Sequence, residues 1–273
     1  MIVNIYDVAH GFCAYIRDGL TGANLLFDCG YNEENGIHPV DEVLAYGPIG
    51  GLVIQNNDED HLDGLPHLIQ KAGAYPAFAL FGNPSLSSAQ LLSLKTPPFG
   101  KGLLALLQLK QRYSFPLQAA AHITGECTFS QYYNPYPAFS DTNNLSLVTF
   151  VHGPGYSVIF PGDLECAGWK LLLENPFFRA ELASVRIFVA SHHGRKSGYC
   201  KEVFDYCSPD VVIISDEPMQ YDTQTHCYSK HAKGISWNSG RETRYVLTTR
   251  CDGDIRIGPG IGCLAWISTS LAA

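Results

Sequence analysis

Three short apolar segments of this 273-residue chain each end in a turn that is rich in acidic residues or histidine. The first turn, at residues 56–64, contains four acids and one histidine and follows the apolar run at 51–54. Carboxylates crowded in this way repel one another unless a cation lies among them, so the turn favours a divalent metal site. A solvated acidic turn is the alternative that this segment alone leaves open.

The other two turns have the same order of features. Asp163 follows the apolar segment at 156–160, and His192 and His193 follow the apolar segment at 185–190. In a layered α/β fold, turns at the ends of strands gather in one crevice. The pattern therefore predicts that residues far apart in sequence meet at one metal site. For the histidine pair, a structural role in capping and packing is the alternative.

Composition excludes several classes of protein. Hydrophobic residues make up 46% of the chain and charged residues 16%, so a large buried core is expected and disorder is not. No apolar run reaches the roughly 18 residues that a membrane span needs, and the N-terminus does not have the pattern of a signal peptide. The net charge of -8 argues against broad, non-specific adhesion to nucleic acid.

The nine cysteines are scattered and include no Cys-x-x-Cys pair. An odd, scattered set is not typical of a disulfide framework, so free thiols in a reducing cytosol are expected. We therefore predict a cytoplasmic protein without a membrane segment.

Alternating strand and helix patterns favour a layered α/β architecture in one domain that spans residues 1–273. Residues 84–142 have helical spacing and then an aromatic, proline-rich stretch, and they read as an insertion that forms either a lid or a helical flap. The later pattern predicts two hairpins, which are 145–151 with 156–160 and 245–249 with 255–257.

These motifs, in this order, resemble the metallo-β-lactamase fold superfamily over nearly the whole chain outside 84–142. The resemblance implies a four-layer αββα sandwich. No residue clearly matches the family's third landmark, a histidine that precedes the bridging aspartate. The matching positions are the early, loop-orienting aspartate at Asp28, the His-x-His-x-Asp-His signature at Asn56, Asp58, Asp60 and His61, the bridging aspartate at Asp163, and the late histidine within His192 and His193.

Within the superfamily the chain is most similar to the metallo-β-lactamase-like domain of bacterial DNA-uptake (ComEC-type competence) proteins. The similarity lies in the strand at 143–148, the Gly-Asp turn, the His-His-Gly turn and the closing segment at 247–255. It implies a phosphodiester substrate, either nucleic acid or a nucleotide. It also suggests His226 or His231 as a late proton donor or phosphate contact. His10, in a strand-end turn, either faces the same crevice or, as is more common for a lone turn histidine, is structural.

The departures from the family pattern concern the first of its two metals. Asn56 and Asp58 replace two imidazoles with oxygen donors, which suit harder ions. Three outcomes are open, namely one metal, two metals with an oxygen-rich first site, or a fold that has lost catalysis. Zn²⁺ or Mn²⁺ is expected, and Mg²⁺ is possible. Asn143 and Asn144 either occupy the space of the missing third histidine or brace the strand.

The sequence thus predicts a metal-dependent hydrolase, most simply a phosphodiesterase or nuclease in which a metal-activated water is the nucleophile. Asp60 is expected to be both a ligand and a catalytic residue. Hydrolysis of a small ester, thioester or lactam, or a catalytically degenerate scaffold, are the alternatives. A partner protein in a multi-component system is a further possibility.

Overall fold

The computed structural model describes residues 1–32, 34, 36–113, 126–217, 223–259 and 266–271. In chain order, its strands are β1 (Ile2–Ile5), β2 (Ala14–Arg17), β3 (Asn24–Phe27), β4 (Ile49–Val53), β5 (Ala77–Phe81), β6 (Thr128–Tyr133), β7 (Leu147–Gly153), β8 (Tyr156–Phe160), β9 (Ile187–Val189), β10 (Val211–Ile214), β11 (Ile235–Trp237), β12 (Glu242–Arg244), β13 (Val246–Thr248), β14 (Ile255–Gly258) and β15 (Trp266–Thr269). Its α-helices are α1 (Pro39–Ala45), α2 (Glu59–Leu62), α3 (Leu65–Ala72), α4 (Ser88–Ser93), α5 (Lys101–Arg112), α6 (Cys166–Leu173), α7 (Pro176–Ser184), α8 (Thr225–Tyr228) and α9 (Thr249–Asp252).

Two large sheets form the centre of the molecule. The first has the strand order β15-β14-β1-β2-β3-β4-β5, and the second has the order β13-β10-β9-β8-β7-β6. Strands β3, β4 and β5 run parallel, as do β8, β9, β10 and β13, whereas the other neighbours are antiparallel. The carboxyl ends of the parallel strands are therefore the ends that carry the polar turns.

Period-two alternation in the strands explains how the sheets pack. In β3, Leu25 and Phe27 face the second sheet, where Phe27 stacks on Phe160 with ring centroids 4.4 Å apart. Leu26 points to the other face and packs with helices α1, α3 and α5. Burial of one such side chain contributes roughly 1.5–3 kcal/mol. Helices α6, α7 and α8 cover the second sheet in the same way, which confirms the four-layer αββα sandwich.

The described part of the predicted insertion belongs to these layers. Helix α5 buries Leu103, Leu106 and Leu109 against the first sheet's outer face. Strand β6, which was not predicted, pairs along its whole length with β7 at the edge of the second sheet. An edge strand has only partly buried faces, so its alternation is weak in the sequence. Residues 114–125 lie outside the described part of the chain.

One predicted hairpin is confirmed and the other is wrong. Strands β7 and β8 pair antiparallel across the turn at 153–156. Strand β13, in contrast, lies parallel to β10 in the second sheet, and β14 lies antiparallel to β1 in the first. The short helix α9 joins β13 to β14 across the two sheets. A Gly-containing turn can serve a hairpin or a connection between two sheets, so the sequence did not distinguish them. None of the described helices combines the length and the apolarity that crossing a membrane requires.

Candidate metal centre

The acidic turn at 56–64 is seated on the backbone of two neighbouring turns. Gly11 has a φ of +138°, and a Cβ at this position would lie 2.3 Å from the carbonyl oxygen of Asp60. A Cβ at Gly30 would lie 2.8 Å from the same oxygen. The amide of Cys29 also donates a hydrogen bond of 2.8 Å to the carbonyl of His61. These contacts fix Asp60 and His61 beyond the end of β4.

Four side chains from three strand ends converge there. Potential ligand atoms of Asp60, His61, Asp163 and His193 all lie within 4.8 Å of one another. The Nε2 atom of His61 is 3.1 Å from Oδ1 of Asp163, and the Nε2 atom of His193 is 3.2 Å from Oδ2 of Asp60. The side chains of His61, Asp163 and His193 are at most 5% exposed, whereas that of Asp60 is 23% exposed. Asp60 therefore faces the mouth of the cluster.

Hydrogen bonds on the far side of each ring set its tautomer. His61 Nδ1 donates to Oδ2 of Asp28 at 2.7 Å, and His193 Nδ1 donates to the carbonyl oxygen of Ser215 at 3.0 Å. A carbonyl oxygen only accepts, so Nδ1 of His193 carries a proton. The Nε2 atoms face the carboxylates but make no well-directed hydrogen bond. This is the arrangement in which metal-binding imidazoles are found, with the outer nitrogen held and the inner lone pair aimed at the cation.

The charged groups of the cluster strongly shift one another's pKa. Burial alone would lower the pKa of His193, but the carboxylates of Asp163 and Asp60 raise it to about 9. Burial likewise opposes protonation of His61, yet its three neighbouring carboxylates, chiefly Asp163 and Asp28, raise its pKa well above the ordinary value. Burial would raise the pKa of Asp163, and the two imidazoles hold it well below its usual range instead. The cluster thus demands positive charge, which either protons or a divalent cation can supply.

The His-His-Gly turn separates the two histidines by backbone conformation. His192, His193 and Gly194 all have positive φ, at 50°, 53° and 71°. Such values cost of the order of 1 kcal/mol or more for each non-glycine residue and are concentrated at functional sites. The turn directs His193 into the cluster. His192 lies at the edge of the cluster, with Nε2 3.9 Å from Oδ2 of Asp163, and contacts Ser197 Oγ at 2.9 Å and Arg195 Nη1 at 3.0 Å.

The side chains in the first half of the acidic turn are held by other groups of the protein. Asn56 donates through Nδ2 to Oδ1 of Asn143 at 2.9 Å and accepts the amide of Asp58 at 2.9 Å. The carboxylate of Asp58 accepts a hydrogen bond of 2.6 Å from Thr142 Oγ1 and pairs closely with the ammonium of Lys95. Both predicted oxygen ligands are therefore engaged by the protein's own groups.

The remaining predicted residues lie elsewhere. Asn144 Oδ1 accepts the amide of Gly168 at 2.8 Å, so its contacts are those of a brace. His231 Nε2 is hydrogen-bonded to the hydroxyl of Tyr199 at 2.8 Å, and its ring stacks on Phe204, within the helical layer over the second sheet. His226 lies on α8 beside Cys227 and is exposed. No described contact joins His226 or His231 to the cluster.

Two residues that the sequence analysis did not assign to the site lie at its mouth. His10 Nε2 is 3.4 Å from Oδ2 of Asp60, and its ring centroid is 4.9 Å from that of His193. Burial, with a contribution from His193, lowers the pKa of His10 to about 4. Arg195 contacts both His10 and His192 at 3.0 Å. Their positions in the sequence could have indicated both residues, because His10 lies in the turn after β1 and Arg195 directly follows the His-His-Gly turn.

No family model matches the sequence, and comparison with curated proteins gives no match. Solved structures do match at the level of fold. The metallo-β-lactamase fold protein YhfI from Bacillus subtilis is 10% identical, with a TM-score of 0.44, over 80% of this chain and 88% of its own. The short form of human tRNase Z is 12% identical, with a TM-score of 0.44, over 82% and 95%.

A diphosphatase of the PhnP family is 8% identical, with a TM-score of 0.43, and covers 98% of this chain and 99% of its own. Identities and TM-scores this low say nothing about the activity of this chain. The four-layer fold rests on the packing of its two sheets and the helices that cover them.

Proposed function

We propose that this protein is a metal-dependent hydrolase that holds one divalent cation through Asp60, His61, Asp163 and His193. The carrying observation is that two buried imidazoles have Nδ1 committed to protein acceptors and Nε2 directed at two carboxylates. Two imidazole nitrogens with carboxylate oxygens suit Zn²⁺ or Mn²⁺ better than Mg²⁺. When bound, such a cation supplies Lewis acidity and lowers the pKa of a coordinated water.

The surrounding residues would orient the ligands and move protons. Asp28 accepts both His61 Nδ1 and the amide of Gln55, at 2.7 Å each, and so fixes the plane of the His61 ring. His10, beside the exposed edge of Asp60, would serve as a neutral base at the mouth. Its Nε2 atom lies 3.4 Å from Oδ2 of Asp60 and accepts a hydrogen bond of 3.0 Å from Nη2 of Arg195, so it would exchange a proton there only when Arg195 turns to the substrate.

We propose a phosphodiester as the substrate, in a nucleotide or a short stretch of nucleic acid. The guanidinium of Arg195 lies beside His10 and His192, where a forked donor matches the oxygens of a phosphate. A net charge of -8 favours a contact confined to this mouth over a broad nucleic-acid surface. We further propose a cytoplasmic setting, since the eight described cysteines are free thiols. A partner protein stays a prediction that co-purification would test.

The test combines metal analysis with hydrolysis assays. The protein, purified without added metal, is titrated with Zn²⁺, Mn²⁺ and Mg²⁺ and assayed on bis-nitrophenyl phosphate, single-stranded DNA and RNA, and on ester, thioester and lactam substrates. We expect about one cation per chain at this centre and cleavage of a phosphodiester. His193→Gln should lose both, whereas the matched control His226→Gln should keep both.

Each other outcome has a definite meaning. Cleavage only of the ester, thioester or lactam substrates would overturn the proposed substrate but keep the hydrolase. No binding of any cation and no cleavage of any substrate would overturn the metal centre and leave a scaffold. Equal activity in the His193→Gln and wild-type proteins would overturn this cluster as the catalytic centre.

A further inference from the structure

A second group of ligand atoms lies on the outer side of the second sheet. The Sγ atoms of Cys166 and Cys200 and a carboxylate oxygen of Glu202 lie within 4.8 Å of one another. Cys166 is the first residue of α6, and Cys200 and Glu202 lie at the start of the 3₁₀ segment Lys201–Asp205. Neighbouring ligand atoms around a tetrahedral zinc ion are about 3.5–3.8 Å apart, so small side-chain shifts would close this set on one ion.

Charge around the three side chains fits a cation. Oε1 of Glu202 is 3.0 Å from Nζ of Lys170, and its Oε2 is 3.3 Å from Sγ of Cys200. One carboxylate oxygen is thus held by lysine while the other faces the thiols. When an ion displaces the thiol protons, two thiolates and one carboxylate would carry three negative charges, which a divalent ion together with Lys170 would balance. Cys200 is buried, whereas Cys166 is half-buried and Glu202 exposed, which leaves a route from solvent.

We propose that Cys166, Cys200 and Glu202 form a second, thiolate-rich site for Zn²⁺ or a similarly soft divalent ion. Thiolate sulfur selects such ions over Mg²⁺ or Mn²⁺. Because Glu202 is exposed, a water molecule could complete the coordination of the ion. This site shares no ligand with the cluster at Asp60, and its existence does not depend on the hydrolase activity.

The position of the site gives it a structural role. Cys166 lies three residues after Asp163, and Cys200 lies seven residues after His193. The amide of Cys166 already donates a hydrogen bond of 2.9 Å to the carbonyl of Ser197, which lies between His193 and Cys200. An ion bound by both thiols would clamp together the two turns that carry Asp163 and His193.

Cobalt spectroscopy can see this site without any activity measurement. Co²⁺ bound through thiolates gives an intense near-ultraviolet charge-transfer absorption, which histidine and carboxylate ligands do not. We expect this absorption in wild-type protein reconstituted with Co²⁺ under reducing conditions. It should disappear in Cys166→Ser and Cys200→Ser and stay in Cys251→Ser, whose thiol is exposed on α9. It should also stay in Asp163→Asn, which separates this site from the proposed hydrolase centre.

Protection of the thiols gives a second readout that needs only the wild-type protein. Zn²⁺ should slow the reaction of two thiols per chain with a thiol reagent and prevent their oxidation. Absence of the absorption would overturn the proposal. So would thiols that react equally fast with and without Zn²⁺, or a Cys166–Cys200 disulfide that forms equally fast in the presence of the ion.

Discussion

The two halves of the acidic turn at 56–64 contain similar side chains that the fold uses differently. In the second half, Asp60 and His61 point toward residues from other strand ends and share a cluster with Asp163 and His193. In the first half, Asn56 and Asp58 are tied to groups of the protein itself. The difference arises from their neighbours, because the first half meets α4, α5 and the segment before β7, whereas the second meets open strand ends.

The helices at the start of the predicted insertion cause this difference. Lys95, just after α4, pairs with Asp58, and Glu59 accepts the amide of Gly102 at 2.6 Å at the beginning of α5. A carboxylate at a helix N-terminus is stabilising, so Glu59 anchors α5 on the turn. The ammonium group of Lys95 therefore occupies the carboxylate of Asp58, which a metal ion at the first site of the family pattern would need as a ligand. The number of acidic residues in a turn therefore does not by itself predict how many cations the turn can bind.

The largest expected effect is the difference in phosphodiester cleavage between the variants Asp163→Asn and Asp58→Asn. Asp163 faces both imidazoles, so its neutralisation should lower phosphodiester cleavage on the order of 10³-fold and remove the cation. Asp58→Asn should change cleavage by less than about tenfold. Initial rates and elemental analysis of both variants measure this. Equal losses would mean that the two halves of the turn serve one centre, and the comparison would fail.

The next effect concerns pH. The pKa of His193 is raised to about 9 in the folded protein, against about 6.5 when unfolded. This stabilisation is complete below about pH 6.5 and is lost as the pH rises through about 9, at a cost of about 3 kcal/mol. Denaturant unfolding of chelator-treated protein should therefore give a lower free energy of unfolding at pH 9 than at pH 6.5.

Added Mn²⁺ or Zn²⁺ should reverse this trend, because the cation displaces the same protons and binds more tightly as the pH rises. The variant His193→Gln should lose most of the pH dependence in both conditions, and His226→Gln should keep it. A metal-free protein whose stability is flat over this range would contradict the charge coupling inside the cluster.

A smaller effect should come from Lys95→Met. Removal of the ammonium leaves Asp58 beside Thr142 without its counter-ion, and both partners are only partly exposed. We expect a loss of about 1–2 kcal/mol in the free energy of unfolding, measured by denaturant titration. The control Lys101→Met, on the exposed side of α5, should change it by less than about 0.5 kcal/mol. An unchanged Lys95→Met would mean that the first half of the turn is not held as described.

The smallest effect should be found at the mouth. Arg195→Met should raise KM for a phosphodiester about tenfold, equivalent to about 1.4 kcal/mol, with a smaller change in kcat. Lys196→Met, at the exposed neighbouring position, should leave KM within about twofold. Steady-state kinetics on an anionic and a neutral substrate test this. A KM that rises equally for both substrates would show that Arg195 only shapes the mouth.

Much of the architecture could be predicted because strand ends carry local signals. Apolar segments followed by Asp28, by Asp60 with His61, by Asp163 and by the histidine pair indicated both the layers and the turns. The connection from β13 to β14 could not be predicted, because a short turn after a strand does not reveal which sheet receives the next strand. Strand β6 was missed for a similar reason, since its burial depends on an edge partner distant in sequence.

The choice between neighbouring residues also needed three-dimensional information. His192 and His193 are adjacent and identical residues, and the left-handed turn places His193 between Asp60 and Asp163 and His192 at the edge of the cluster. Lys95 gave no signal at all in the sequence, since nothing local connects it with Asp58. A structural role was the expectation for His10 because its neighbours Asp60 and His193 both lie far from it in the sequence.

The seating of Asp60 on Gly11 and Gly30 has a consequence for protein engineering. Main-chain contacts determine the path of the second half of this turn, at Asp60 and His61. Grafting imidazoles by Asn56→His and Asp58→His, together with Lys95→Ala to vacate the space, would then test whether a second ion can bind while the backbone of Asp60 and His61 stays in place. The glycines, in contrast, would tolerate no exchange at all.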